Sequence, residues 1–244
     1  MIRESIIGES DRIITLLTRE MGIIRAYAAG AKSIKSKKGA ATGLLSYSSF
    51  TLHKKNDTYR VTEASPIKIF FGAGEDIVRL TLAQYFCELV GVIVPREQSD
   101  EDYLRLILNS LHFLVVEKRD PSQIKAITEL RLAVIAGYSP DLIACDGCGK
   151  FEDDIMFFSL TDGRLYCKEC RSGGEYTVPL EPTLLNAMRH IVFSRFGSLY
   201  SFSIPTDAAH RLADITGRYV TLQTEHSYTT LDFYNSLVDR SNYV

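Results

Sequence analysis

Four cysteines in two tight pairs constrain this chain more than any other feature of its sequence. Cys145 and Cys148 form the first pair, Cys167 and Cys170 form the second, and 18 residues separate the inner cysteines. Two-residue spacing lets both sulfurs of a pair reach one tetrahedral metal ion, and this separation is typical of a four-thiolate zinc site. Four thiolates close the coordination sphere, which favours a structural role. The sequence therefore predicts one structural Zn²⁺, with a thiol–disulfide redox role and a catalytic zinc as the alternatives.

The segment between the two cysteine pairs predicts how they meet. Residues 156–160 and 164–166 have the pattern of short strands, and Thr161-Asp162-Gly163 between them favours a hairpin turn. Gly149 follows the first pair and predicts a close approach of the backbone to a sulfur. A zinc deaminase would need an H-x-E segment and a proline before the second pair, and the sequence has neither.

Basic residues are concentrated in one stretch of a chain whose net charge is only −2. Between Arg25 and Arg60 there are eight basic residues and the single acid Asp57, so this segment carries +7 and the remainder −9. Phosphate backbones attract lysine and arginine whatever the base sequence, which makes the segment a candidate polyanion site. We predict DNA contacts at Arg12 and at the basic residues of this segment: Arg25, Lys32, Lys35, Lys37, Lys38, Lys54, Lys55 and Arg60.

The first seventy residues have the pattern of a small β-domain. Turn sequences at residues 20–22 and 55–57 separate short β-type runs, which cover residues 13–18, 23–29, 49–54 and 58–63. Several short strands in such a length favour a barrel or a sandwich. Residues 32–43 have almost no bulky apolar side chain and are predicted to form a mobile basic loop. The alternative for its charges is an ordinary solvated loop.

Aromatic residues are interleaved with the basic ones in these strands. Alternation places Arg25 and Tyr27 on one face of the second predicted strand, and Phe50 and Lys54 on one face of the third. Aromatic rings offer unpaired bases a stacking surface. The alternative, which the sequence favours, is that Tyr27 and Phe50 belong to the barrel core.

After residue 73 the hydrophobic period changes from two residues to between three and four. Helices are predicted over residues 76–94, 103–117, 124–136, 182–196 and 206–222. The predicted fold class is α+β. An OB-fold-like DNA-binding β-barrel, residues 1–73, precedes a helical domain, residues 74–244, into which a four-cysteine zinc knuckle is inserted at residues 143–174.

Motifs for nucleotide-driven or hydrolytic chemistry are absent from the sequence. It has no G-x-x-x-x-G-K-[ST], G-x-G-x-x-G, H-E-x-x-H or G-x-S-x-G segment, and its five histidines are scattered. We therefore expect a binding protein and not an enzyme. The first residues do not have the pattern of a secretory signal, and no run of the roughly 20 apolar residues of a membrane span occurs. These features predict a cytoplasmic location.

Several short motifs, taken in order, resemble the RecO family of bacterial DNA repair proteins. The N-terminal motifs are Gly8-Glu9-Ser10-Asp11-Arg12, Leu16-Leu17-Thr18, Gly22, and Gly30-Ala31-Lys32 with Ser36. The central motifs are Glu129-Leu130-Arg131-Leu132, Gly137-Tyr138-Ser139-Pro140-Asp141-Leu142 and Cys145-Asp146-Gly147-Cys148-Gly149. Family members carry several more residues before the first strand, so we expect the first barrel strand to be incomplete.

The resemblance implies a recombination mediator. A protein similar to this family is expected to bind single- and double-stranded DNA and to anneal complementary strands without ATP. It is also expected to load RecA on gapped DNA together with RecR and single-strand-binding protein, in a nucleoid-associated location. The alternative, which rests on the zinc motif and the basic segment alone, is a zinc-containing adaptor for a protein or for RNA.

Overall fold

The fold is mixed α+β, with strands and helices in each of two compact units. The computed structural model describes residues 1–33, 36, 38–71, 76–97, 100–171 and 173–241. The first unit is Met1–Glu117 with Tyr228–Val244, and the second is Lys118–Ser227. The units therefore do not part at the change from strands to helices after residue 73. The domains 1–73 and 74–244 remain a prediction from the sequence.

The first unit contains a five-stranded sheet, here called the N-terminal sheet. Its strands are β1 Arg3–Ile7, β2 Asp11–Thr18, β3 Gly22–Ala28, β4 Ser46–Lys55 and β5 Thr58–Ile69, in the order β1-β2-β3-β5-β4. Neighbouring strands are antiparallel except β3 and β5, which pair in parallel. Their inward-facing apolar residues form one core cluster together with Ala31, which follows β3: Ile14, Leu16, Ile24, Ala26, Ala28, Ala31 and Val61.

Both predicted hairpin turns of the N-terminal sheet are present. In the β2–β3 turn the Thr18 hydroxyl donates to the Gly22 carbonyl oxygen at 3.0 Å. In the β4–β5 turn Asn56 adopts a φ of 52°, a conformation that asparagine tolerates better than most residues. Strand β1 is not predicted by the sequence pattern, because all five of its residues are exposed and none alternates into the core.

The two edge strands of the N-terminal sheet, β1 and β4, are linked at one end. The Met1 amino group donates to the Ser46 carbonyl oxygen at 2.8 Å, and Leu45 N donates to the Met1 carbonyl oxygen at 3.1 Å. No strand ladder joins β1 to β4 in the part of the chain that the structure describes. The sheet is therefore open, and the barrel expected from the sequence is not confirmed.

Residues 38–43 form a packed segment between β3 and β4, so the expectation of a mobile loop is wrong for this part. Ala41 and Thr42 are buried. The Ala41 carbonyl oxygen accepts hydrogen bonds from the hydroxyls of Ser46 at 2.8 Å and Ser48 at 3.0 Å. Small side chains are typical of loops, but here they allow the backbone to pack closely against the sheet.

The six α-helices of the described residues are mostly those that the sequence predicts. They are α1 Ile77–Ile93, α2 Glu101–Leu111, α3 Pro121–Ile135, α4 Pro182–Phe193, α5 Thr206–Thr224 and α6 Thr229–Ser241. Asp76 and Asp120 cap α1 and α3, and each side chain accepts two backbone N–H groups. Helix α6 is the exception, because no helix is predicted after residue 222. None of the helices described here combines the length and apolar character needed to cross a membrane.

The second unit contains a four-stranded sheet, here called the cysteine sheet. Its strands are β6 Asp141–Cys145, β7 Met156–Ser159, β8 Arg164–Tyr166 and β9 Thr177–Leu180, in the order β6-β8-β7-β9. Strands β7 and β8 pair antiparallel, so the predicted hairpin between the cysteine pairs is confirmed. Strands β6 and β9, which the sequence pattern does not predict, pair with β8 and β7 respectively.

Helix α5 holds the β7–β8 turn in place. The Gln223 amide donates to the carbonyl oxygens of Leu160 at 3.0 Å and Thr161 at 2.9 Å. At the end of the turn Gly163 adopts a φ of 68°, and a Cβ there would lie 2.9 Å from the Tyr219 hydroxyl. The turn therefore requires glycine at this position, both for its conformation and for space.

Candidate metal centre and nucleic-acid surface

The four predicted zinc ligands come together at one end of the cysteine sheet. The sulfurs of Cys145, Cys148, Cys167 and Cys170 all lie within 4.8 Å of one another. Strand β6 ends at Cys145 and β8 ends just before Cys167, so the parallel pairing of these strands sets the two cysteine pairs side by side. The sulfurs of Cys148 and Cys167 are 3.7 Å apart. Tetrahedral zinc with bonds of about 2.3 Å would separate its sulfurs by about 3.8 Å.

The protonation chemistry of these thiols also fits a divalent cation. Burial acts to raise the pKa of Cys145, but hydrogen bonds from backbone N–H groups of Cys167, Cys148 and Gly147 outweigh it and lower this pKa to about 6. Hydrogen bonds with the neighbouring cysteines, Cys167 first, raise the pKa of Cys170 to about 12. Four thiolates within 4.8 Å of one another repel, which favours a cation among them. The cluster can hold one metal ion, which would stabilise all four as thiolates.

Gly147, between the first two cysteines, is the glycine that close packing of the cluster requires. A Cβ built on it would lie 2.9 Å from Cys170 Cβ and 3.0 Å from Cys170 Sγ. The sequence predicts a close approach of the backbone at Gly149, whereas the contact that excludes a side chain lies at Gly147. A Cβ on Gly149 would have nothing within 4 Å, and its φ of 74° is what favours glycine there.

Arg189 of α4 fixes the loop that carries the first cysteine pair. Its guanidinium donates to the carbonyl oxygens of Leu142 at 2.8 Å, Ile143 at 2.9 Å and Phe151 at 2.8 Å. The guanidinium also lies over the Phe151 ring, 4.2 Å from its centroid. No local sequence pattern marks Arg189 as a functional residue, because these partners lie far from it along the chain.

The charges of the two sheets differ in sign. Residues 143–174 contain six acidic and four basic residues, and four thiolates around one divalent cation add two further negative charges. Residues 1–70 contain twelve basic and six acidic residues. A polyanion is therefore attracted to the N-terminal sheet and repelled by the cysteine region.

Five of the predicted DNA contacts are exposed on or beside the N-terminal sheet: Arg25, Lys32, Lys54, Lys55 and Arg60. The strand register places Arg60 of β5 between Tyr27 of β3 and His53 of β4. The same row continues to Ile13 of β2 and Ser5 of β1. Directly paired residues point to the same side of a sheet, so this row lies on the outer face, away from the core. Two further predicted contacts, Lys35 and Lys37, lie outside the described residues.

Arg12 and Lys38 are engaged by other parts of the protein. The Arg12 guanidinium lies 3.2 Å from Glu4 Oε2 and donates to the Thr42 carbonyl oxygen at 3.1 Å. Lys38 Nζ donates to the Val61 carbonyl oxygen at 3.0 Å. These contacts tie residues 38–43 to the sheet, a structural role that the sequence does not indicate. Contact of either side chain with DNA stays a prediction.

Tyr27 lies on the outer face beside the exposed arginines, and its assignment to the core is wrong. The ring is half-buried, and its hydroxyl donates to Asp11 Oδ2, while Asp11 Oδ1 accepts from Gly30 N at 2.8 Å. The hydrogen bond to Asp11 raises the pKa of Tyr27, so the phenol stays neutral. The Arg60 guanidinium lies over the ring, 5.7 Å from its centroid. Phe50, by contrast, packs against the core as the sequence favours.

The fifth cysteine belongs to the interior of the first unit. Cys87 is buried, and burial raises its pKa to about 12. It is therefore the small core residue that the apolar pattern of α1 predicts. It borders a cavity of about 350 Å³ whose lining is largely apolar and includes Leu16, Phe50 and Leu111. The thiol is therefore not a nucleophile at neutral pH.

A basic sheet and a four-cysteine centre in one α+β chain are the combination expected of a nucleic-acid-handling protein with a structural metal. Comparison with known families identifies the particular group. The chain belongs to the Recombination protein O family, RecO: the model of its N-terminal part matches residues 1–70, and the model of its C-terminal part matches residues 74–232. The resemblance inferred from the motifs is confirmed.

Individual relatives support the same assignment over nearly the whole chain. The DNA repair protein RecO of Acetivibrio thermocellus is 34% identical over 237 residues, which cover 97% of this chain and 94% of that protein. The DNA repair protein RecO of Caldicellulosiruptor bescii is 28% identical and covers 96% and 95%. That of Bacillus subtilis is 28% identical and covers 90% and 85%. Family membership places the chain in DNA repair and recombination.

Proposed function

We propose that this chain is a DNA-binding recombination mediator. It binds single- and double-stranded DNA, anneals complementary strands without ATP and helps to load a recombinase on gapped DNA. The observation that carries this proposal is the exposed basic outer face of the N-terminal sheet in a chain of the RecO family. Annealing of this kind needs no enzyme, because two backbones have only to be held close while cations lower their repulsion.

The N-terminal sheet is proposed to be an OB-type barrel that remains open along one side. Its strand order, with β3 and β5 parallel, supports this assignment, as do the hydrogen bonds of Met1 that link the edge strands at one end. OB folds are partly open barrels that bind oligonucleotides on the face of their second and third strands and at the β4–β5 loop. Arg25 lies on β3, and Lys54 and Lys55 lie at the β4–β5 turn.

One structural Zn²⁺ is proposed for the cysteine centre, with Cys145, Cys148, Cys167 and Cys170 as its ligands. The sulfur separations support a metal ion over a disulfide pair. The bound ion supplies a cross-link between the loop after β6 and the loop after β8. The protein's own residues, Arg189 and Gly147 among them, set the positions of the two loops.

The partners in this proposal are those that the family implies. They are single- and double-stranded DNA, RecR, single-strand-binding protein and RecA, in a cytoplasmic, nucleoid-associated location. The acidic charge of the cysteine region argues that DNA is bound elsewhere, on the N-terminal sheet.

Annealing of two complementary labelled oligonucleotides tests the proposed function. The purified protein is expected to speed duplex formation equally with and without ATP. An absolute requirement for nucleotide, or no acceleration at any salt concentration, would contradict the proposal. Binding of RNA without binding of DNA would favour the adaptor instead.

A further inference from the structure

The centre of the outer face of the N-terminal sheet is an aromatic ring with arginines beside it and one carboxylate, Asp11, bonded to its hydroxyl. Tyr27 occupies the middle position of the row that crosses all five strands, with Arg60 directly beside it on β5. Arg25 lies two residues before Tyr27 on β3. It pairs with Thr15 of β2, and Thr15 pairs in turn with Arg3 of β1. All three arginines are exposed. Within the described part of the chain, no acidic side chain forms an ion pair with Arg25 or Arg60.

The ring of Tyr27 is held in a fixed position. Its hydroxyl donates to Asp11, and Asp11 is itself fixed by Gly30 N at 2.8 Å. The backbone hydrogen bond from Gly30, followed by that from Tyr27, lowers the pKa of Asp11 and keeps it an ionised acceptor. A ring that is already ordered loses little conformational entropy when a planar partner stacks on it.

The arginines and the ring differ in how well they distinguish single-stranded from double-stranded DNA. Cations attract the phosphates of single strands and of duplexes alike. A flat aromatic ring stacks only on a base whose face is free, and the bases of a duplex are stacked on one another. Base–aromatic stacking is sequence-tolerant because every base has a π-face. A surface with both features therefore binds single strands by two interactions and duplexes by one.

We propose, building on the DNA binding proposed above, that Tyr27 is a base-stacking residue. Unpaired bases of single-stranded DNA stack on its ring and take the place of the Arg60 guanidinium, which lies 5.7 Å from the ring centroid. Arg60 and Arg25 then hold the flanking phosphates. Tyr27 thereby sets the preference of the N-terminal sheet for single over double strands. Asp11 is a positioning residue for the ring.

Two substitutions at Tyr27 separate stacking from a purely structural role. Tyr27→Leu removes the ring and is expected to weaken binding of oligo-dT about 5- to 150-fold. Its affinity for a duplex should change less than about twofold, with an unchanged salt dependence, because no charge is removed. Tyr27→Phe keeps the ring, loses the bond to Asp11, and is expected to bind oligo-dT within about threefold of the wild type.

The outcomes distinguish this inference from the proposed function. Wild-type protein that binds neither form of DNA would overturn the proposed function. Wild-type binding of oligo-dT that Tyr27→Leu leaves unchanged would overturn only the stacking role. Parallel losses for oligo-dT and duplex in both variants would show that Tyr27 acts only through the bond to Asp11, which also overturns the inference.

Fluorescence provides a direct readout of stacking. The sequence contains no tryptophan, so Tyr27→Trp introduces a single tryptophan at the proposed stacking position, and excitation at wavelengths that tyrosine does not absorb isolates its emission. Saturation with oligo-dT is expected to quench its emission, and a duplex should quench it much less. Tyr176→Trp is the matched control, since Tyr176 is 45% exposed in the second unit. Tyr27→Trp protein that binds oligo-dT without quenching would contradict the proposal.

Discussion

The N-terminal sheet and the cysteine sheet are stabilised in different ways. The N-terminal sheet has strands of 5 to 12 residues and its own core cluster. The cysteine sheet has strands of 3 to 5 residues and ends in four clustered thiols. Phe158, Leu165 and Leu180 of this sheet are also buried, so the four-cysteine cluster adds to apolar packing and does not replace it. The comparison supports the proposals that the metal centre acts as a scaffold and that the long basic strands provide the surface for DNA.

The largest expected effect is loss of a metal ligand. Cys148 is exposed, so Cys148→Ser removes little packing, and its cost comes through the metal. Because metal binding is coupled to folding, we expect the variant to lose its zinc and to destabilise the second unit by several kcal/mol. Urea unfolding together with elemental analysis measures both.

The control for this prediction is a neighbouring exposed residue that is not a ligand. Lys168→Ala, inside the second cysteine pair, should keep one zinc per chain and wild-type stability. If Cys148→Ser unfolds like wild type, or if wild-type protein carries no metal, the scaffold role of the centre is wrong.

A smaller effect is expected at Gly147. Alanine there would push Cys170 out of place, so we expect Gly147→Ala to cost about 1 to 3 kcal/mol and to weaken zinc binding. Gly173→Ala is the matched control, because a Cβ at that exposed position has nothing within 4 Å. Competition with a chromophoric chelator compares the zinc affinities. Equal affinities in the two variants would refute the close approach at Gly147.

The smallest of these effects is expected for a substitution at Arg12. It distinguishes a structural role of this side chain from contact with DNA. Arg12→Met removes the ion pair with Glu4 and the hydrogen bond to Thr42, so we expect a loss of about 1 to 2 kcal/mol in stability. If these contacts keep Arg12 away from DNA, the salt dependence of DNA binding should not change. A fall of about 0.7 in the slope of log affinity against log salt, at wild-type stability, would instead make Arg12 a phosphate contact.

Local patterns in the sequence predict much of this molecule. Cysteine spacing predicts the ligand cluster, the Thr161-Asp162-Gly163 turn predicts the hairpin between the pairs, and capping residues such as Asp120 predict helix starts. These features depend on residues that are close together in the chain. The RecO resemblance follows from the same short motifs.

Contacts between distant parts of the chain are what the sequence does not predict. No local pattern marks the contact of Gly147 with Cys170, or that of Arg12 with residues 38–43. The core assignment of Tyr27 fails for the same reason, because alternation shows which residues share a face but not which face is buried. Parallel pairing of β3 with β5 decides that Tyr27 and Arg60 lie together on the outer face.

The most direct test of the central claim is the salt dependence of DNA binding in two charge variants. The sheet variant replaces Arg25, Lys54, Lys55 and Arg60 by alanine, and the control replaces Lys150 and Lys168 of the cysteine region. Each phosphate contact on a single strand contributes about 0.7 to the slope, so the sheet variant should lose up to about 2.8. The control should keep the wild-type slope and affinity for oligo-dT. An unchanged slope in the sheet variant, or a loss confined to the control, would contradict DNA binding on the N-terminal sheet.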